Sequence, residues 1–162
     1  MRRHAFGDPR GHTRLSNTER LETLEITPDS AESVRAIISA WFEPFVARLD
    51  TDKGSNFVRP LAREASDPGN AERGIVETYL DPSARRCMAR LAEALPGATE
   101  GDISCGYQFC IAAMISSVTG AGRMSALSDG ATRNTSEAPP LDGMLAFATA
   151  GIMALSGPPS LK

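Results

Sequence analysis

Between Ser30 and Leu49 the apolar side chains recur at steps of three and four: Val34, Ile37, Ile38, Trp41, Phe42, Phe45, Val46 and Leu49. On a helix this spacing puts all eight on one face, and a face so wide must be buried against other parts of the chain. Pro44 interrupts the stripe. It has no N–H to give the carbonyl of Ala40, so a kink is predicted there, beside Trp41 and Phe45.

The same punctuation runs through the rest of the chain. Thr27-Pro28 reads as a hydroxyl N-cap followed by a first-turn proline, and Asp67-Pro68 and Asp81-Pro82 repeat the pattern. The first precedes the aromatic helix and the other two precede helices expected over 71–80 and 82–95, the last stopped by Pro96-Gly97; a further helix over 55–66 is read from Phe57, Val58, Leu61 and Ala65 on one side. Thr99 and Asp102 form a capping box that opens a helix to about Thr119. Its stripe is Ile103, Tyr107, Cys110, Ile111, Met114 and Val118. Residues 120–140 are rich in Gly, Ser, Thr and Pro and read as a loop with one short turn at 124–127. A last helix is expected over 140–155. No strand-like alternation and no repeat is visible, so the fold class is all-α with about six helices.

At 162 residues, 41% hydrophobic and 23% charged, the chain is large enough for one well-packed domain. No apolar run approaches the roughly 18 residues that span a bilayer, so no membrane association is expected. The cysteines are Cys87, Cys105 and Cys110, an odd number without a Cys-x-x-Cys, which fits a reduced, cytoplasmic protein. Cys105 and Cys110 fall roughly 140° apart on a helix, and the only histidines, His4 and His12, lie in a polar stretch. No metal and no cofactor is expected. The first twenty residues hold five arginines against Asp8 and Glu19, which leaves the body more acidic than the net charge of −3. An acidic body does not attract phosphate backbones, so DNA binding by this chain alone is not expected. No Gly-x-Ser-x-Gly, phosphate loop or His-x-x-x-His is present, and Glu64 and Glu77 read as surface pairs; the chain is not expected to be an enzyme.

Trp41, Phe42, Phe45, Phe57, Tyr107 and Phe109 are most of the aromatic content. Aromatics on adjacent helices commonly line apolar pockets and even more commonly fill plain cores; Met88 and Met114 would make a pocket adaptable, or simply fill the core. Gly106, Ala113 and Ser117 flank the stripe of helix 99–119, and Gly143, Ala146, Ala150, Gly151 and Ala154 flank that of the last helix. Small residues allow helices to approach closely. The last helix is apolar nearly all round, with Met144, Leu145, Phe147, Ala148, Ile152 and Met153. Such a helix at a chain end is either sandwiched in the core or covered by a second subunit, and the second subunit is the favoured reading.

The order of segments carries a resemblance. Phe57-Val58-Arg59-Pro60-Leu61-Ala62-Arg63-Glu64, Asp67-Pro68, Tyr79-Leu80-Asp81-Pro82-Ser83-Ala84-Arg85-Arg86, Ala94-Leu95-Pro96 and Gly106-Tyr107-Gln108-Phe109 follow one another as in the regulatory domain of tetracycline-repressor (TetR) family transcriptional regulators. The likeness covers roughly residues 27–156. His4-Ala5-Phe6-Gly7 resembles the remnant of a segment that follows the family's DNA-recognition helix. The resemblance implies a TetR-like C-terminal helical domain over 27–157, preceded by a poorly ordered linker over 1–26 after a missing DNA-binding domain. It further implies a pocket for a small apolar effector, with Trp41, Phe45, Phe57, Leu61, Met88, Tyr107 and Met114 as candidate lining. It implies a homodimer through the last two helices, with Gly106, Cys110, Ala113, Ser117, Phe147, Ala150, Gly151 and Ala154 as candidate interface. A full-length relative is a further possible partner. The alternative is a stand-alone small-molecule-binding helical protein not tied to transcription.

Overall fold

The computed structural model describes residues 17–49, 60, 81–119, 126–127 and 141–157. The helices expected over 55–66 and 71–80 lie outside these residues, except that Pro60 is helical and exposed. Of the connection 120–139 only the helical turn at 126–127 is described.

Among the described residues every regular element of more than a turn is an α-helix: α1 (Asn17–Glu22), α2 (Ala31–Leu49), α3 (Asp81–Ala94), α4 (Glu100–Thr119) and α5 (Leu141–Leu155). The all-α reading holds. Helices α2, α3, α4 and α5 close a ring in which each packs against the next, and α1 lies along the edge between α2 and α3. The aromatic helix is the hub, because its face is the widest apolar surface available. Val34, Ile37, Ile38, Trp41, Phe42, Phe45 and Val46 are all buried. The helix continues through Pro44, whose ring is half-buried.

The start of α2 differs from the expectation placed on Thr27-Pro28. The cap is Ser30: the N–H of Ser33 donates to its Oγ at 3.3 Å, and that of Val34 to its carbonyl at 3.1 Å. Thr27 is exposed and its N–H donates to Ser33 Oγ at 2.9 Å. The reason is Asp29, which sits at φ 56°. A left-handed residue cannot belong to a right-handed helix, so the helix starts only after it. The capping box at Thr99 forms as its spacing predicts. The N–H of Asp102 donates to Thr99 Oγ1 at 3.2 Å, and the N–H of Thr99 to Asp102 Oδ2 at 2.9 Å. The Asp102 carboxyl is held below the usual range by the Thr99 hydroxyl and then by the Thr99 backbone N–H.

Helix α1 falls within the stretch that reads as a linker. Leu21 is fully buried, and Leu24 and Ile26 pack against the same core. Arg20 reaches Glu43 on α2 at 2.6 Å, and Arg86 on α3 reaches Glu22 at 3.0 Å. Arg90 on α3 donates to the carbonyl of Leu24 and pairs with Glu93. Arg35 on α2 meets Asp142 at the start of α5 at 2.8 Å.

Candidate functional site

Two apolar features meet on α4, one closed and one open. The closed one is an aromatic cluster. The Trp41 ring has Phe42 at 4.9 Å and Phe45 at 5.4 Å on its own helix, and Tyr107 edge-on at 5.3 Å and 71°. Tilted and edge-to-face pairs at these distances are favourable aromatic geometry. Position 107 is brought to Trp41 because Ile103, Tyr107 and Cys110 share the stripe of α4 that faces the ring interior. Met88 on α3 and Met114 on α4 are half-buried against the same core. Their unbranched side chains can repack around a shape that changes.

Of the seven candidate pocket residues, the structure therefore joins Trp41, Phe45 and Tyr107 directly and sets Met88 and Met114 against the same core. Phe57 and Leu61 lie outside the described residues. The chemistry here is apolar with few polar handles. Burial raises the Tyr107 hydroxyl well above its ordinary value, with smaller pushes from Cys87, Asp81 and Cys110. Burial likewise raises the Cys87 thiol, and Cys110 is pushed up to about 11. Neutral thiols and a neutral phenol are poor nucleophiles, so this interior is suited to holding an apolar body. One polar group was not singled out by the sequence: the hydroxyl of Thr149, buried on α5, has no hydrogen-bond partner among the described residues.

The open feature is a groove of about 110 Å³ between α4 and α5. Its walls are apolar and include Phe109 at 58% exposure, Phe147 at 69% and Leu155 at 38%. Gly106, Cys110 and Gly151 lie between these rings. Large exposed rings around a floor of small residues mark an interaction surface more often than a plain surface. Helix α5 is buried on one side and open on the other. Met144, Leu145, Ala148 and Ile152 are buried by this chain, while Phe147, Ala150, Gly151 and Ala154 are exposed.

The candidate interface set divides accordingly. Phe147, Ala150, Gly151 and Ala154 stand open. Gly106 and Cys110 are covered by the chain's own α5: a Cβ at Gly106 would meet Ile152 Cγ1 at 3.0 Å. Ala113 is half-buried, and the side chain of Ser117 is outside the described residues. Phe109, named in the sequence only as part of the aromatic content, and Leu155 belong to neither candidate set; the structure puts both at the groove. Their signal was the spacing Gly106, Phe109, Ala113, which traces a second face of α4 apart from the stripe.

Among the described residues no three His, Cys, Asp or Glu side chains group as metal ligands, and no helix is long and apolar enough to cross a membrane.

A family model described as "Tetracyclin repressor-like, C-terminal domain" matches residues 39–151. That span runs from within α2 into α5 and contains the aromatic cluster and the groove residues up to Gly151, leaving out Ile152 and Leu155. No curated protein and no solved structure matches the chain.

Proposed function

The chain belongs to the tetracycline-repressor-like C-terminal domain family, and on that premise we propose that it is the regulatory domain of a TetR-like transcriptional regulator, acting in the cytoplasm. It binds a small apolar effector among Trp41, Phe45, Phe57, Leu61, Met88, Tyr107 and Met114, and it forms a homodimer through α4 and α5. It performs no catalysis of its own.

One observation carries this reading. On α4, Tyr107 turns into the aromatic cluster while Phe109, two residues on and so on the other side of the helix, is left 58% exposed. A single helix thus contributes to a closed apolar interior and to an open apolar face. That is what a sensing and pairing domain requires. The interior supports an apolar ligand because its rings and methionines offer area and adaptability. The Thr149 hydroxyl is available to orient a ligand that carries one polar atom.

The test of the pairing half is the mass in solution by light scattering on a sizing column. A particle of twice the 17.2 kDa chain mass is expected. Changing the exposed Ala150 and Ala154 together to Arg should return it to the chain mass; a double variant that stays dimeric would remove α5 from the interface. The sensing half is tested by titrating small apolar compounds against Trp41 emission. Binders should be displaced or weakened by Tyr107→Ala, and compounds whose affinity ignores that change would place the pocket elsewhere.

A further inference from the structure

We propose that Cys87 and Cys110 form a two-sulfur site for a soft divalent metal ion of the mercuric type, held between α3 and α4 inside the core. The inference rests on the packing of these two helices and holds whether or not the chain takes an organic effector or pairs with a copy.

The fold assembles the site. The sequence offers Cys105 and Cys110 on one helix, but Cys105 is exposed. Cys87 and Cys110 are both buried, on two consecutive helices that pack against each other. Cys87 shares the buried face of α3 with Ala84, Leu91 and Ala94. Cys110 shares the inward stripe of α4 with Ile103 and Tyr107. Each thiol acts electrostatically on the Tyr107 hydroxyl, and the Cys110 thiol acts on that of Cys87. The three groups therefore gather at one place in the core. Neither sulfur belongs to a disulfide. The thioethers of Met88 and Met114 pack against the same core.

The ion is selected by charge and by ligand number. Sulfur ligands favour soft ions over hard ones. Burial keeps both thiols protonated, and a bound metal reverses this, because a coordinating thiol gives up its proton outright. A divalent ion and two thiols yield a neutral bis-thiolate and two protons, which leave to solvent. A neutral complex enters an apolar interior without the cost of burying a charge. A monovalent soft ion on the same two thiolates would leave a net negative charge there. Zinc in structural sites takes four ligands in a tetrahedron, and among the described residues no third His, Cys, Asp or Glu side chain joins the pair. A soft divalent ion satisfied by two sulfurs is what remains, and the mercuric ion is of that kind.

Trp41 is the chain's only tryptophan, and Tyr107 stands edge-on to it at 5.3 Å. A heavy ion beside Tyr107 therefore quenches Trp41 emission. The exposed Cys105 would take an ion by itself, so the full chain carrying Cys105→Ser is titrated with mercuric chloride. Proton release, Trp41 emission and the helical circular-dichroism signal are read together. The expected result is one ion per chain, two protons released per ion, quenched emission and unchanged helicity. Cys87→Ala and Cys110→Ala, each added to Cys105→Ser, are expected to release one proton per ion. Stripping the ion from the intact pair should need on the order of a hundredfold more glutathione than from either of these, because the second sulfur binds intramolecularly. One proton per ion, or two ions per chain, in the Cys105→Ser protein overturns the shared site. So does equal stripping from the pair and from the single thiols. Binding that begins only once the helical signal is lost overturns it as well, since the site would then belong to the unfolded chain.

Discussion

The backbone N–H of Asp29 donates to the carbonyl oxygen of Ala94 at 2.7 Å. This bond ties the turn before α2 to the last residue of α3, satisfying one of the carbonyls a helix C-terminus leaves without a partner. It is reached only because Asp29 adopts φ 56°. Aspartate and asparagine tolerate that conformation and β-branched residues do not. We expect Asp29→Asn to be nearly neutral and Asp29→Val to destabilise the fold by about 1–2 kcal/mol. Chemical-denaturation midpoints of the two variants decide it, and equal midpoints would mean that the turn carries no strain.

Leu21 is the core residue that lies furthest from where the sequence places the core. Its side chain is fully buried on a six-residue helix. Truncation of a leucine in such a position costs about 2–5 kcal/mol, a transfer term plus the cavity left behind. Leu21→Ala is therefore expected to shift the urea midpoint markedly. A change below about 0.5 kcal/mol, the range of ordinary surface substitutions, would return residues 17–26 to the status of a dispensable tail.

How much of this was legible in the sequence follows from periodicity. Helices α2, α4 and α5 carry apolar residues at three and four over fifteen or more residues, and their spans emerge nearly as read. The Thr99–Asp102 cap was legible because both partners are local. Helix α1 was not, because six residues with Leu21 as their one large apolar side chain give no period; tertiary contacts from α2 and α3 make it a helix. The spacing sets Tyr107 on the stripe of α4 and Gly106 beside it, but not which of these faces α5 covers or that Phe109 stays open. Gly106 and Phe109 differ from Tyr107 only in the direction each faces, and that direction is fixed by where α5 lies.

Glu43 accepts from Arg20 at 2.6 Å and from the Ser39 hydroxyl. Its carboxyl is held below the usual range, first by Ser39 and then by Arg20, against a partial burial that opposes them. The unfolded chain therefore binds the Glu43 proton more readily than the folded one. The stability this contributes is present above the ordinary value of 4.5 and is lost as the pH falls through the lower folded value. Both side chains are more than a third exposed, so the effect is screened and of order 0.2–1 kcal/mol. Acid titration of the denaturation midpoint should be shallower for Glu43→Gln than for the native chain. Superimposable acid limbs would assign the acid sensitivity to other carboxylates.

The Thr149 hydroxyl is buried without a hydrogen-bond partner among the described residues. Leaving such a group unsatisfied costs about 1–3 kcal/mol, so the isosteric Thr149→Val is expected to stabilise the chain by about 1 kcal/mol. If the hydroxyl serves a ligand, the same variant should bind that ligand less well. Greater stability with weaker binding marks a residue kept for function. A Thr149→Val chain that is less stable than the native one would show that the hydroxyl is satisfied in solution.

Two glycines on α5 separate folding from pairing. A Cβ at Gly143 or at Gly151 would touch nothing within 4 Å in the single chain. Alanine at either position should then stabilise the isolated fold by about 0.5–1 kcal/mol through helix propensity alone. Gly143 sits in the first turn of α5, away from the groove, whereas Gly151 is part of its wall. Gly143→Ala is thus expected to raise the thermal midpoint by a similar amount at all protein concentrations. Gly151→Ala should raise it only in dilute solution, where the chain is single. At high concentration the added methyl narrows the space into which a second copy packs, and the mass should fall toward that of one chain. Thermal scans at two concentrations, read beside light scattering, distinguish the outcomes. Identical behaviour of the two variants would mean that nothing packs on the groove.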